Sequence, residues 1–193
     1  KTPKECRRHD ILDSKLNKLV DSSFPGHKLC SQMRFRRMKM ANTYTQLYIH
    51  YVFATQKRLR LFHDYAQKEL YDYSAGLTRD LNCFFQCIGG MEDHIHLLVG
   101  LHPTLSVSDF AQRFKANTSR FINEKGWVIG KFNWQNGFGA FSVSQSGLEQ
   151  VRDYIAKQEE HHGNKRFIAE YEALLGKYRV KYDEKYLFAE PED

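Results

Sequence analysis

The sequence has no apolar run approaching the roughly 18 residues that a membrane-spanning helix needs. Its first residues, Lys1-Thr2-Pro3-Lys4, carry charge with no apolar stretch behind them, so no secretory signal is expected. Cysteine is scarce, with four in 193 residues: Cys6, Cys30, Cys83 and Cys87. None falls into a zinc-ligand spacing, and Cys83 and Cys87 sit in or beside an apolar segment, where they read as small core residues. These absences argue against a membrane protein and against a disulfide scaffold. They favour a soluble protein of a reducing, cytoplasmic compartment. A hydrophobic content of 41% is enough for one domain with a proper core plus an appendage.

The chain also lacks a basic domain, despite its net charge of +6. Residues 1–40 hold 11 of the 29 Lys/Arg and 4 of the 23 Asp/Glu, which leaves 18 basic and 19 acidic residues after Met40. The basicity belongs to the leader, and charge alone gives no reason to read the rest as a nucleic-acid binder. Within the leader, Ile11 to Val20 has the spacing of a short amphipathic helix that Ser22-Ser23-Phe24-Pro25-Gly26 breaks. The expected division is a basic leader over 1–40, a domain over 41–165, and a C-terminal helix with a charged tail over 166–193. Met40 is a natural initiator, so the leader is read as an upstream extension rather than as a basic arm gripping phosphate.

From Thr43 onward the pattern is regular. Thr45 to Ala54 is rich in aromatic and β-branched residues and predicts a strand. Asp64 to Leu81 repeats apolar residues at helical spacing. Cys83 to Met91 predicts a second strand, ended by Gly89-Gly90, and a tight turn at Glu92-Asp93 leads into His94-Ile95-His96-Leu97-Leu98-Val99-Gly100. Val107 to Lys125 predicts a helix capped by Ser106, and Phe138 to Val143 a fourth strand. Leu148 to His162 predicts a helix stopped by Gly163-Asn164, Phe167 to Leu175 another, and the tail beyond should pack loosely. Strand–helix–strand–strand–helix–strand is the split βαβ, ferredoxin-like plan of an α+β protein. It predicts a four-stranded antiparallel sheet with helices on one face and the first and third strands at its centre.

On a strand, His94 and His96 project from one face, roughly 6–7 Å apart, while Ile95, Leu97 and Val99 point the other way into a core. The histidines should stand on the open face. A His-x-His is short, and two hydrogen-bonded surface histidines would look the same. In the helix beginning at Leu148, Tyr154, Gln158 and His162 share a face, each about 40° from the next, away from the apolar stripe of Leu148, Val151 and Ile155. Two imidazoles with an amide or carboxyl oxygen make a plausible set for Mg²⁺ or Mn²⁺. A tyrosine hydroxyl beside such an ion suggests attack on a phosphodiester. A histidine-triad hydrolase would need a third alternating histidine where Leu98 stands. A two-histidine phosphoesterase finds only His102-Pro103-Thr104, in a proline-containing turn.

His94-Ile95-His96 resembles the His-hydrophobic-His motif of the HUH nucleases. Tyr154 with Gln158, followed by His161-His162, resembles the Tyr-x-x-x-Gln helix of the single-tyrosine HUH transposases of small insertion sequences and their palindrome-associated relatives. Thr45 to His50 and Trp134 to Ser144 resemble the family's first strand and the segment before its catalytic helix, with Phe138 where the family often has tyrosine. The similarity covers roughly Tyr44 to His162. It implies His94, His96 and Gln158 as ligands of Mg²⁺ or Mn²⁺, with His162 as an alternative ligand, and Tyr154 as nucleophile. The implied reaction is cleavage and rejoining of single-stranded DNA at hairpin-marked ends through a 5′-phosphotyrosine, in a homodimer whose active sites are shared between subunits. A near-neutral domain must then bind DNA through a local groove, for which Lys57, Arg58, Arg60, Arg113, Lys115 and Arg120 are candidates. The rival reading is a non-catalytic hairpin DNA- or RNA-binding regulatory protein on the same fold.

Overall fold

A computed structural model describes residues 44–158, 167–183 and 187. Eight main elements follow one another: β1 (Tyr48–Ala54), α1 (Asp64–Asp80), β2 (Phe84–Met91), β3 (His94–Gly100), α2 (Val107–Lys125), β4 (Gly139–Val143), α3 (Leu148–Ala156) and α4 (Phe167–Lys177). The strands form one antiparallel sheet in the order β2-β3-β1-β4, with β1 and β3 at the centre. This is the α+β, split βαβ sheet expected of the sequence.

Alternation along the central strands divides the molecule into two cores. Tyr51, Phe53, Ile95, Leu97 and Val99 face α1 and α2, where they pack with Leu70, Leu77, Phe110, Phe114 and Ile122. Helix α2 is bounded by chemistry visible in the sequence. Ser106 Oγ accepts from the Asp109 N–H at 3.0 Å, and Gly126 closes the C-terminus at φ +67.

The opposite face, expected to be open, is covered. Leu98 packs with Leu148, Val151 and Ile155 of α3, while Val52, Ala54 and Phe141 pack with Phe167, Tyr171, Leu174 and Leu175 of α4. The apolar stripes of these two helices need a partner, and this sheet face supplies it. Tyr178, placed by the sequence reading in a loose tail, stacks on Phe141 at 4.7 Å between ring centroids.

Two local devices seat α3. Gly89 lies inside β2 instead of ending it, because a Cβ there would stand 2.5 Å from the Ile155 carbonyl oxygen, so only glycine admits the helix this close. The link before α3 folds into a short 3₁₀ turn over Gln145–Gly147, and Gln46 Nε2 donates to Gln145 Oε1 at 2.6 Å. The helix is interrupted at Lys157, which leaves helical geometry at φ −98, ψ 19, and Gln158 is helical again. His161 and His162 lie outside the described residues. Among those residues, no helix is long and apolar enough to cross a membrane.

Candidate active site

The pleat of the central strands fixes three imidazoles on the face beneath α3 and α4. His94 and His96 are fully buried, with ring centroids 5.3 Å apart and planes nearly perpendicular. Antiparallel pairing sets Val52 opposite His96, and His50, two residues back along β1, reaches the same face. His50 Nε2 lies 2.9 Å from His96 Nδ1, and His94 Nδ1 lies 2.6 Å from Asp93 Oδ1. Each histidine of the pair thus has its Nδ1 held by a neighbour, an arrangement that orients Nε2 toward the site.

Asp93 connects the histidines to a second support. Its other oxygen is ion-paired with Arg58, whose guanidinium lies 4.4 Å from the Phe167 ring centroid. Burial pushes the Asp93 carboxyl up, but the His94 hydrogen bond and charge, and then Arg58, outweigh it and hold the group down to about 2. His94 is lowered as well, chiefly by burial, against the opposing hydrogen bond and charge of Asp93. Arg58 was a candidate for the DNA groove, and the structure places it in the interior. Left-handed backbone at Lys57 (φ 57) and Arg58 (φ 53) turns the side chain inward. Such strain costs on the order of 1 kcal/mol or more per residue and persists only where surrounding contacts enforce it.

The helices supply the remaining groups. The Tyr154 ring stands edge-on to His96 at 5.6 Å and to His50 at 6.0 Å. Its hydroxyl donates to Glu170 Oε1 of α4, and Gln158 Nε2 donates to the same oxygen at 2.9 Å. Glu170 Oε1 in turn lies 3.5 Å from His96 Nε2. Burial, reinforced by the charge of Asp93 and opposed by Arg58, pushes the Glu170 carboxyl up to about 7. His50 is lowered to about 4, first by burial and then by the charge of Lys177. A cleft of about 340 Å³ between α3 and α4 is lined by Val151, Leu174 and Lys177, with His50, Tyr154 and Glu170 among its walls.

The ligating atoms of His94, His96 and Glu170 all lie within 4.8 Å of one another. Two imidazole nitrogens and a carboxylate oxygen, each fixed by a neighbour, form a donor set that fits a divalent cation. His94, His96, Tyr154 and Gln158, separated by up to 64 positions in the chain, are brought together. Two members were not anticipated. His50 was detectable in principle, because a strand paired to β3 and carrying a histidine on alternate positions can present it to the same face. Glu170 had no comparable signal.

All of these groups come from one chain. The helix bearing Tyr154 lies on the sheet of its own chain, held by the Gly89–Ile155 approach and the short 3₁₀ link. The other basic candidates stand apart. Lys57 and Arg60 are exposed on the β1–α1 connection, and Arg113 and Arg120 are exposed on α2, across the sheet from the histidines. Lys115 ties a loop, donating to the carbonyls of Gln135 at 2.6 Å and Gly137 at 2.9 Å.

A family model described as "Transposase IS200 like" matches residues 43–158. A crystal structure described as a candidate transposase from Deinococcus radiodurans is similar in fold. It has a TM-score of 0.50 and 23% identity, over 62% of this chain and 96% of that one. A second solved structure, a REP-associated tyrosine transposase bound to a REP hairpin, gives a TM-score of 0.49 and 16% identity, over 69% of this chain and 75% of that one. No curated protein matches the chain.

Proposed function

The chain belongs to the IS200-like transposase family, and from that premise we propose that it cuts and rejoins single-stranded DNA through Tyr154 at ends marked by hairpins. The observation that carries this reading is the Tyr154 hydroxyl, held by Glu170 beside the His94–His96 pair at the edge of a cleft. A tyrosine packed only for its ring has no need of a buried carboxylate and two metal-competent imidazoles around its oxygen.

In the proposed reaction the Tyr154 oxygen attacks the scissile phosphorus. Its proton passes to the Glu170 carboxylate it already touches, a group whose raised affinity for protons suits the role. A bond forms between phosphorus and the phenolic oxygen while the bond to the departing 3′-oxygen breaks, and that oxygen takes up a proton from solvent. The products are a 5′-phosphotyrosine and a free 3′-hydroxyl. Rejoining is the reverse attack by a 3′-hydroxyl on the same linkage, so no nucleotide triphosphate is consumed. His94 and His96 would hold Mg²⁺ or Mn²⁺, which supplies polarisation of the phosphodiester and offsets its developing charge. Asp93 and His50 fix the two ligating rings in place.

The test is a denaturing gel of labelled hairpin-bearing single-stranded DNA incubated with the protein and Mn²⁺. Wild-type protein should release a nicked product and a protein–DNA adduct, and Tyr154→Phe should abolish both while still retarding the hairpin. Hairpin binding with neither product in the wild type would replace this reading with that of a regulatory binder.

A further inference from the structure

We propose that the cleft between α3 and α4 binds the nucleotide that stays joined to Tyr154 after the cut, with Lys177 on that nucleotide's 3′-phosphate. The proposal rests on the strand-cutting reading above and gives it a substrate-binding surface. One wall of the cleft is α4, which lies beyond the segment that the family model matches. The cleft holds about 340 Å³, at the small end of the roughly 300–1,000 Å³ of ligand pockets. Val151 and Leu174 supply buried apolar surface, the small Ala169 and Ala173 keep the gap between the helices open, and Gln150 and Lys177 stand exposed at the rim.

The side of the cut follows from the geometry of displacement. Attacking and leaving oxygens stand roughly in line across phosphorus. The departing strand therefore lies on the far side of the phosphate from the Tyr154 oxygen. The retained nucleotide is joined through an oxygen off that line and can run back alongside the tyrosine. Tyr154 is itself part of the cleft wall, so the retained nucleotide is the one placed to enter.

Spacing along α4 suits a single nucleotide. The Tyr154 hydroxyl touches Glu170, and Lys177 follows seven residues later, two turns along the same face and roughly 10 Å away. A scissile phosphate at the tyrosine end thus leaves the next phosphate near Lys177. Among the described residues no carboxylate pairs with Lys177, so its charge is open to an anion. Sugar and base would cover Val151, Ala173 and Leu174, with the Gln150 amide at the rim to meet a base edge.

The proposal is tested by titrating isotope-labelled full-length protein, free of metal and DNA, with each deoxynucleoside 3′,5′-bisphosphate and 5′-monophosphate. Backbone amide shifts locate the binding. Wild type is compared with Lys177→Gln and with Ala173→Trp, which fills the cleft from an exposed position; melting curves check the fold of both. At least one bisphosphate should shift Gln150, Ala173 and Lys177, and bind about threefold or more tighter than its monophosphate. Lys177→Gln should erase that difference, and Ala173→Trp should weaken both ligands. No shift at these residues overturns the proposal, as does equal affinity for the two ligands in wild type or full binding by Ala173→Trp; all three leave cleavage by Tyr154 standing. Where the gel has mapped the cut, an abasic site in the retained nucleotide should slow cleavage about tenfold, and one in the departing nucleotide less. The reverse order overturns the proposal too. A wild-type protein that binds the bisphosphate but cuts no DNA overturns the strand-cutting reading, and with it this role for the cleft.

Discussion

His50 Nε2 lies 2.9 Å from His96 Nδ1 in the buried centre of the sheet, so one imidazole sets the hydrogen-bonding state of the other. A metal-ready His96 must keep its proton on Nδ1 and leave the Nε2 lone pair for the ion. His50 Nε2 is the acceptor that makes this tautomer favourable, as second-layer partners of ligating histidines generally do.

The first prediction follows from that bond. His50→Phe keeps the ring volume and removes the acceptor, and it should lower Mn²⁺ affinity and cleavage rate together by about 10–100-fold. His50→Gln, which restores an acceptor, should recover part of both. Parallel calorimetry and single-turnover cleavage read the two quantities. If His50→Phe matches wild type in both, His50 has no positioning role.

The second prediction concerns the support beneath His94. Asp93→Asn leaves the Arg58 guanidinium buried without its counter-charge, and loss of one partner of a buried pair typically costs about 3–5 kcal/mol. Denaturant unfolding should show a loss of that order. The double variant Arg58→Met with Asp93→Asn should cost less than the two single losses added, because it leaves no stranded charge. The same pair sets a direction with pH. A carboxyl held down to about 2 in the fold, against about 3.9 unfolded, stabilises the protein fully above the unfolded value. That contribution is lost as pH falls through the window between the two. Asp93→Asn should therefore flatten the acid limb of metal-free stability, and an unchanged limb contradicts the assignment.

Legibility in the sequence divided along physical lines. Short-period patterns read through: alternation in His94 to Val99 placed the histidine pair opposite Ile95, Leu97 and Val99, and the Ser106 cap with Gly126 bounded α2. Tyr154 and Gln158 came from helical spacing plus family resemblance, and they meet at Glu170 even though the helix is interrupted at Lys157 between them. What could not be read depends on docking. Phe167, Tyr171 and Leu174 announce an amphipathic helix, but no spacing says which sheet face it covers, and Glu170 becomes meaningful only once that face is the one with the histidines. Arg58 was misread for a related reason. A basic residue in a connecting segment is ordinarily solvated, and only the left-handed turn at Lys57 and Arg58 brings this one inside.

The third prediction decides which chain supplies which half of the site. Family resemblance led to the expectation that Tyr154 of one subunit faces His94 and His96 of another. In the structure, Ile155 rests against Gly89 of its own β2, and Tyr154 reaches Glu170, His50 and His96 of its own chain. Moving the helix to a partner would re-make the packing of Leu148, Val151 and Ile155 on the partner's sheet, but it would require the 3₁₀ link at Gln145–Gly147 to extend. Mixing His96→Ala protein with Tyr154→Phe protein, under conditions that allow subunits to exchange, should therefore restore no cleavage. Each site would still contain one lesion. In an exchanged arrangement, one site of a mixed dimer would carry both lesions and the other neither, and activity would return toward about a quarter of the wild-type level for random pairing of equal amounts. Differently tagged subunits, captured through one tag and blotted for the other, establish whether mixed dimers form. Activity recovered in that mixture means the tyrosine helix crosses between subunits and the single-chain site is wrong. Its continued absence with mixed dimers present, or with no dimers at all, agrees with Tyr154 acting on the sheet that carries it.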